Sequence, residues 1–231
     1  FIEFDMFTGT SEDIVEKATT EAKAGRRQVD VIRTSAGSVV QLVDQGLNAK
    51  FQPTSLEGLP KDAYDLEGGW FYLEHSIHAM AYNTRLIPAA EAPKSFEDLG
   101  DPRFKGKLGI EAECTEWFTQ MKSIMGDAKL VELAKKIAAN NPRPIKGHTT
   151  LARMVVSGEV PLAAVVYQYR VQLDKEAKAP VEWVFGSKPV TTSPILMVVM
   201  KDAPHPNAAR LMVDWWLSKE GQQEDVVKVT K

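Results

Sequence analysis

Residues Tyr167-Gln168-Tyr169-Arg170 place two phenols and a guanidinium in one short stretch. They follow the apolar run VPLAAVV and precede the charged segment VQLDKEAKAP, so they sit where a buried strand is expected to end. Phenolate oxygens are hard donors of the kind ferric iron takes, and a guanidinium pairs with carboxylate or phosphate. Tyrosine is also an ordinary residue for closing off a strand, so an ion, an anion and a plain structural role all stay open. His75 and His78 lie three apart and on a helix would share a face. In the extended run WFYLEHSIHAMAYNT they point to opposite sides, which favours ordinary polar contacts over a metal pair. His148 stands at a predicted helix start, a common structural position, and His205 begins the PHPN helix, where exposure is expected.

Four further stretches are small and rich in hydroxyls or glycine: Thr8–Ser11, Thr34–Ser38, Ala112–Trp117 and Gly147–Thr150. They are placed at the carboxyl ends of sheet strands, where helix N-termini present unpaired N–H groups and anions bind. Ser and Thr also cap helices with no ligand present, each cap contributing about 1 kcal/mol. The shared placement after strands supports a ligand-contact set of Thr8, Gly9, Thr10, Ser35, Ala36, Gly37, Ser38, Thr115, Trp117, His148, Thr149, Tyr167, Tyr169 and Arg170. Trp117 is the one tryptophan expected to touch a ligand; Trp215 and Trp216 fall on a core stripe.

The elements that must carry these residues alternate. FIEFDMF has the period of a strand, and TGTSED starts a helix with Thr10 or Ser11 as N-cap, its buried face formed by Ile14, Val15, Ala18 and Ala22, ending at Gly25. VDVIR is a short strand, and TSAGS opens a helix to Gly46, a strand–helix–strand–helix order that predicts a parallel sheet covered by helices. A second α/β layer follows: SFEDL as a capped short helix, DPRFKGK as a turn, LGIEA as a strand, two helices stopped at Asn141 and Pro142, the GHTT helix closed at Gly158, and PLAAVV. VEWVF and PILMVVM read as strands. Pro206 starts a last helix with Ala208, Leu211, Met212, Trp215 and Trp216 on its buried face.

Bulk properties exclude several functions. The 231 residues carry 28 basic and 31 acidic side chains, net −3, spread evenly, which leaves no field to draw in nucleic acid. The apolar runs fall far short of the ~20 residues that cross a bilayer, so no transmembrane segment is expected. The single cysteine, Cys114, excludes an internal disulfide and a thiolate cluster. No nucleophile elbow, P-loop, HExxH or CxxC occurs, so the chain is not expected to be an enzyme. FIEFDMF has no features of an export signal.

The stretches MAYNTRLIPAAEAPKSFEDLGDPRFKGKLGI, GHTTLARMVVSGEVPLA and APHPNAARLMVDWWLSKEGQ, in this order and at these distances, together resemble the extracellular solute-binding proteins of ABC transporters, in the branch labelled ferric iron or small solute. The resemblance covers Phe4 to Gln222. It implies the type II periplasmic binding fold, an α/β architecture of two lobes joined by crossing strands that close on a ligand. Residues 1–75 with 192–231 would form the first lobe and 76–191 the second. It further implies a small-molecule or ion ligand, an ABC permease as partner, no cofactor, a monomer, and a place in the periplasm or on the outer side of the cytoplasmic membrane. Relatives open with an additional strand and helix and continue past VVKVTK, so the chain reads as truncated at both ends. Iron-binding relatives carry two adjacent tyrosines, a glutamate and a histidine. Here Gln168 separates Tyr167 from Tyr169, and Ser35 stands in the place of the glutamate. That departure favours a small anionic or polar organic solute, with ferric iron on Tyr167 and Tyr169 as the other ligand. A ligand-sensing domain of a regulator and a catalytic derivative of the fold are the alternative functions.

Overall fold

The computed structural model describes residue 3 and residues 5–224. The strand expected at the start lies partly outside these residues. Its described part, residue 3 and residues 5–7, is in no regular element, and Met6 and Phe7 are exposed. Alternation alone does not make a strand, because its backbone must also find a neighbour to pair with.

Helix α1 (Ser11–Lys23) starts at the expected capping box, in which Thr10 Oγ1 accepts from the Asp13 N–H and Asp13 Oδ2 accepts from the Thr10 N–H, both at 3.2 Å. Strand β1 (Val31–Ser35) and helix α2 (Ala36–Asp44) follow, then the two-residue β2 (Tyr64–Asp65) and the long β3 (Trp70–Asn83). SFEDL and DPRF form short 3-10 turns, Glu97–Gly100 and Pro102–Phe104, the first fixed by Asp98 accepting the Ser95 N–H at 3.0 Å. Beyond them lie β4 (Leu108–Glu111), α3 (Thr115–Met125), α4 (Asp127–Ala139), β5 (Arg143–Ile145), α5 (His148–Ser157) and β6 (Leu162–Tyr167). Helix α6 (Gln168–Glu176), β7 (Val181–Val184), β8 (Thr192–Val199), α7 (Pro206–Leu217) and the three-residue α8 (Lys219–Gly221) complete the order among the described residues. Two elements differ from the sequence reading. Strand β5 contains Pro144, tolerable because β5 is the last strand in its sheet order. The segment after Tyr167 continues directly as α6, so Tyr169 and Arg170 stand on a helix rather than at a strand end.

The described residues divide into two compact units: those through His75 together with residues 194–224, and Ser76–Ser193. In the first unit β1 pairs antiparallel with β8, from Val31 opposite Val199 to Ser35 opposite Ile195, and β2 pairs antiparallel with β3. The parallel pairing expected for β1 is not found among the described residues; its partner comes from the far end of the chain. Alternation along β8 feeds two cores, with Leu196 and Val198 packing on α1 and α2 while Met197 and Val199 meet Phe71, Leu73 and α7. The buried stripe of α7 is Ala209, Val213 and Leu217, whereas Leu211 is 60% and Trp215 40% exposed. The expected stripe of Ala208, Leu211, Met212, Trp215 and Trp216 is therefore rotated by about one residue. Size misled the reading: the large side chains are spread around the helix, and the small Ala209 and Val213 mark the side that approaches the sheet.

In the second unit β3 lies between β6 and β7, antiparallel to both, while β4 pairs parallel with β5 and with β6. This is the expected second α/β layer. Both faces of β6 are covered: Leu162, Ala164 and Val165 belong to one core and Ala163 and Val166 to the other. That two-sided burial explains the uninterrupted apolar run VPLAAVV. Gly109 on β4 is required by packing, since a Cβ there would meet Leu151 Cδ1 at 2.7 Å and Val160 Cγ1 at 2.9 Å.

Candidate ligand site of the second unit

Strands β4, β5 and β6 run parallel, and each is followed within a few residues by a helix, so their carboxyl ends and the N-termini of α3, α5 and α6 share one edge. Three side chains are placed there by chain order alone. Cys114 precedes α3, His148 is the first residue of α5, and Tyr167 ends β6 and precedes α6. None of these three helix starts has a side-chain cap hydrogen bond. Their first N–H groups therefore have no side-chain cap acceptor, and the helix dipoles point positive ends at this edge.

Strand β3 brings a fourth group. His78 is the register partner of Tyr167, and the two rings stack at 6.0 Å with 11° between their planes. His148 lies 4.0 Å from Tyr167 and 5.8 Å from His78, centroid to centroid, and Tyr169 stacks on Tyr167 at 6.0 Å. His78 Nε2 is 2.9 Å from Ser193 Oγ and 3.8 Å from Cys114 Sγ, and Ser193 also hydrogen-bonds Tyr167. His148 Nδ1 lies 3.3 Å from the Val165 carbonyl oxygen, which can only accept; the proton is therefore on Nδ1 and the Nε2 lone pair is free.

The surrounding loops are tied by a buried carboxylate. Glu111, at the end of β4, accepts the Gly147 N–H at 3.0 Å and the Glu113 N–H at 2.8 Å, joining the loop before α5 to the loop before α3. Gly147 has φ 92°, a left-handed value that favours glycine at this turn.

Burial sets the charge states. It pushes His78 down to about 3, with the neighbouring His148 adding to the effect. His148 is lowered to about 4, again by burial, against a smaller opposing contribution from the Val165 carbonyl. Both imidazoles are neutral near pH 7. Burial raises the Cys114 thiol to about 12 and moves the Tyr167 phenol well above its usual range.

Of the sequence-derived candidates, the structure gathers His148, Tyr167 and Tyr169. Thr149 is half-buried in the first turn of α5, and Thr115 is exposed at the start of α3. Arg170 is bound in an i,i+4 ion pair with Asp174 on α6, so its charge is already matched within the helix. Trp117 does not line the site: it is 1% exposed and packs edge-on against Phe96 and Phe118 within the core. Its position one turn before Met121 turns it inward, which its place beside a loop did not reveal. Thr8, Gly9, Thr10 and Ser35–Ser38 belong to the other unit. There Thr8 and Gly9 are exposed ahead of α1, Thr10 is its N-cap, and the buried Ser35 hydroxyl donates to Ser38 at 3.2 Å. His78, Cys114 and Ser193 are the participants the sequence reading missed. Cys114 lay inside a stretch singled out for its placement, His78 was weighed beside His75 and assigned ordinary polar contacts, and Ser193 carried no local signal. His75 and His205 stay apart from this site: His75 contacts Tyr72, and His205 Nδ1 is 3.0 Å from Asp30.

A cavity of about 130 Å³ elsewhere in the unit is lined by Trp117, Phe118, Leu130, Leu133 and neighbouring aliphatic residues, the Trp117 indole N–H being the one polar side-chain group among them.

Two α/β units, strands shared between them and a polar site at the carboxyl edge of a partly parallel sheet define a binding-protein architecture of the periplasmic type. Over residues 2–231 the chain matches the bacterial extracellular solute-binding protein family, and it belongs to that family. A periplasmic protein of Salmonella typhi provisionally named for binding 2-aminoethylphosphonate is 26% identical, the match covering 96% of this chain and 69% of that relative. Among solved structures, AfuA from Actinobacillus pleuropneumoniae with fructose-6-phosphate aligns with TM-score 0.82 at 22% identity, covering 98% of this chain and 74% of that one. Iron-bound HitA from Pseudomonas aeruginosa aligns with TM-score 0.78 at 22% identity, covering 98% and 76%. These likenesses establish the type II fold, and the chain spans about three quarters of the structures it resembles. No helix among the described residues is long and apolar enough to cross a membrane.

Proposed function

We propose that the protein is the periplasmic solute-binding component of an ABC importer and that its solute is a small anion, with phosphonates and phosphate monoesters as the first candidates. The observation that carries this reading is the meeting of three helix N-termini without side-chain caps, those of α3, α5 and α6, around His148 and Tyr167. Backbone N–H groups and a neutral hydroxyl would hold the anion, since Arg170 is occupied by Asp174. A relative named for 2-aminoethylphosphonate and a structural neighbour with fructose-6-phosphate bound support the class of solute. The protein would make and break no bond; it would pass its solute to a permease.

Ferric iron is the second reading, favoured by the stacked pair Tyr167 and Tyr169 and by the iron-bound structural relative. Against it, burial resists ionisation of Tyr167, and a ferric site draws on anionic oxygens. Calorimetric titration with 2-aminoethylphosphonate and with fructose-6-phosphate, beside a visible spectrum after adding ferric citrate, separates the two. Heat on adding either organophosphorus compound and no visible band is the expected result. A phenolate-to-iron band without organophosphorus binding would replace this reading with iron.

A further inference from the structure

Cys114 is the only thiol of the chain, and it is buried beside two histidines that come from separate elements. One ligand atom from each of His78, Cys114 and His148 lies within 4.8 Å of the other two. We propose that these three residues form a binding site for a borderline or soft transition-metal ion of the Zn²⁺ class. The donor set of two imidazoles and one thiolate is the kind found in open zinc sites, which leave a fourth position to water or another ligand. It contains no carboxylate, which turns it away from Mg²⁺ and Ca²⁺, and its sulfur turns it away from ferric iron.

The distances support the assignment. Bonds of about 2.0–2.3 Å in tetrahedral geometry place ligand atoms roughly 3.3–3.8 Å apart. The contact between His78 Nε2 and Cys114 Sγ is already 3.8 Å, and the remaining pairs need to close by at most about 1.5 Å. His148 is oriented as metal-bound histidines usually are: its Nδ1–H is held by the Val165 carbonyl, which leaves Nε2 as the donor. The three groups satisfy one another only in part: the Cys114 Sγ–His78 Nε2 contact is long at 3.8 Å, and the nearer partner of that nitrogen is Ser193 Oγ at 2.9 Å, which a metal would displace. The His78 ring is 1% exposed, yet its Nδ1 has no hydrogen-bond partner, so the cluster is incompletely explained as a structural polar network. On binding, the Cys114 S–H bond breaks, its proton passes to buffer, and the sulfur's electron pair goes to the metal.

The site stands on its own geometry and not on the choice of solute, although His148 borders both. The test is titration of the reduced, chelator-treated full chain with Co²⁺ under anaerobic conditions, followed by competition with Zn²⁺. The expected result is one equivalent of tetrahedral cobalt with a near-ultraviolet thiolate-to-cobalt band, bleached by Zn²⁺. Because the chain has one cysteine, that band identifies Cys114 without any variant. Cys114→Ser should abolish the band, and His148→Gln should weaken cobalt binding at least about tenfold. Absence of a thiolate band in the unmodified protein, or undiminished cobalt affinity in Cys114→Ser, would overturn the proposal. Solute calorimetry on the same chelated sample keeps the two readings apart. Solute binding without a cobalt band overturns the metal site alone, and a cobalt band without solute binding overturns only the anion reading.

Discussion

His78 and Tyr167 face each other across the β3–β6 pair, their rings parallel within 11° and 6.0 Å apart. One residue belongs to an exceptionally long strand and the other closes a short buried one, 89 positions later in the chain. Pairing in that register sets the imidazole beside the thiol of Cys114 and the phenol beside the ring of His148. A shift of one residue would turn His78 to the opposite face and dissolve the cluster.

Tyr167→Phe keeps the stacked ring and removes the hydroxyl that meets Ser193. If the phenol contacts the solute, affinity should fall about 3- to 10-fold, the equivalent of one hydrogen bond of roughly 0.5–1.5 kcal/mol, while the melting temperature changes little. Unchanged calorimetric affinity would assign the hydroxyl to structure.

Glu111→Gln replaces one accepting oxygen by an NH₂ group that must face a backbone donor, either the Gly147 N–H or the Glu113 N–H. The mismatch in a buried position should cost about 1–3 kcal/mol in urea unfolding. Loosening the loops before α3 and α5 should weaken solute binding along with stability. Loss of stability alone would show that the loops keep their positions without the carboxylate.

The rotated stripe of α7 makes an opposing pair of predictions. Val213 is fully buried, so Val213→Ala should destabilise by roughly 1–2 kcal/mol. Leu211 is 60% exposed, and Leu211→Ala should stay within about 0.5 kcal/mol of the parent. Equal losses in thermal unfolding would restore the stripe expected from side-chain size.

Asp214 links α7 to the irregular segment after α2, accepting from Thr54 Oγ1 at 2.6 Å and from the Ser55 N–H at 2.8 Å. Burial acts to raise its carboxyl, and the hydrogen bonds from Thr54 and Ser55 together outweigh it, leaving the group below its ordinary 3.8. A carboxyl lowered on folding stabilises the protein where it is ionised in both states, and that contribution disappears as pH falls through the folded value. The stability difference between the parent and Asp214→Asn should therefore be constant above about pH 5 and shrink as pH drops below the usual carboxylate range. A difference that does not change with pH would mean that the hydrogen bonds do not depend on the charge.

Sequence by itself determined the elements that rest on local chemistry. The Thr10–Asp13 box started α1, the unbroken run from Trp70 made β3, and Pro206 opened α7, because caps, periods and ring constraints act within a few residues. The same local logic placed His148 at a helix start and Tyr167 at the end of a buried strand, since caps and apolar runs act within a few residues. Only the tertiary structure decided what joins them. His78 entered through strand register, which its spacing from His75 does not reveal, and Ser193 through a contact 115 residues away in sequence that leaves no trace in nearby residues. Trp117 and Arg170 went the other way, for burial in a core and pairing along α6 are settled by which face of a helix meets its surroundings. A pattern of residue types fixes where a side chain leaves the backbone; the packing of distant strands and helices decides what it touches.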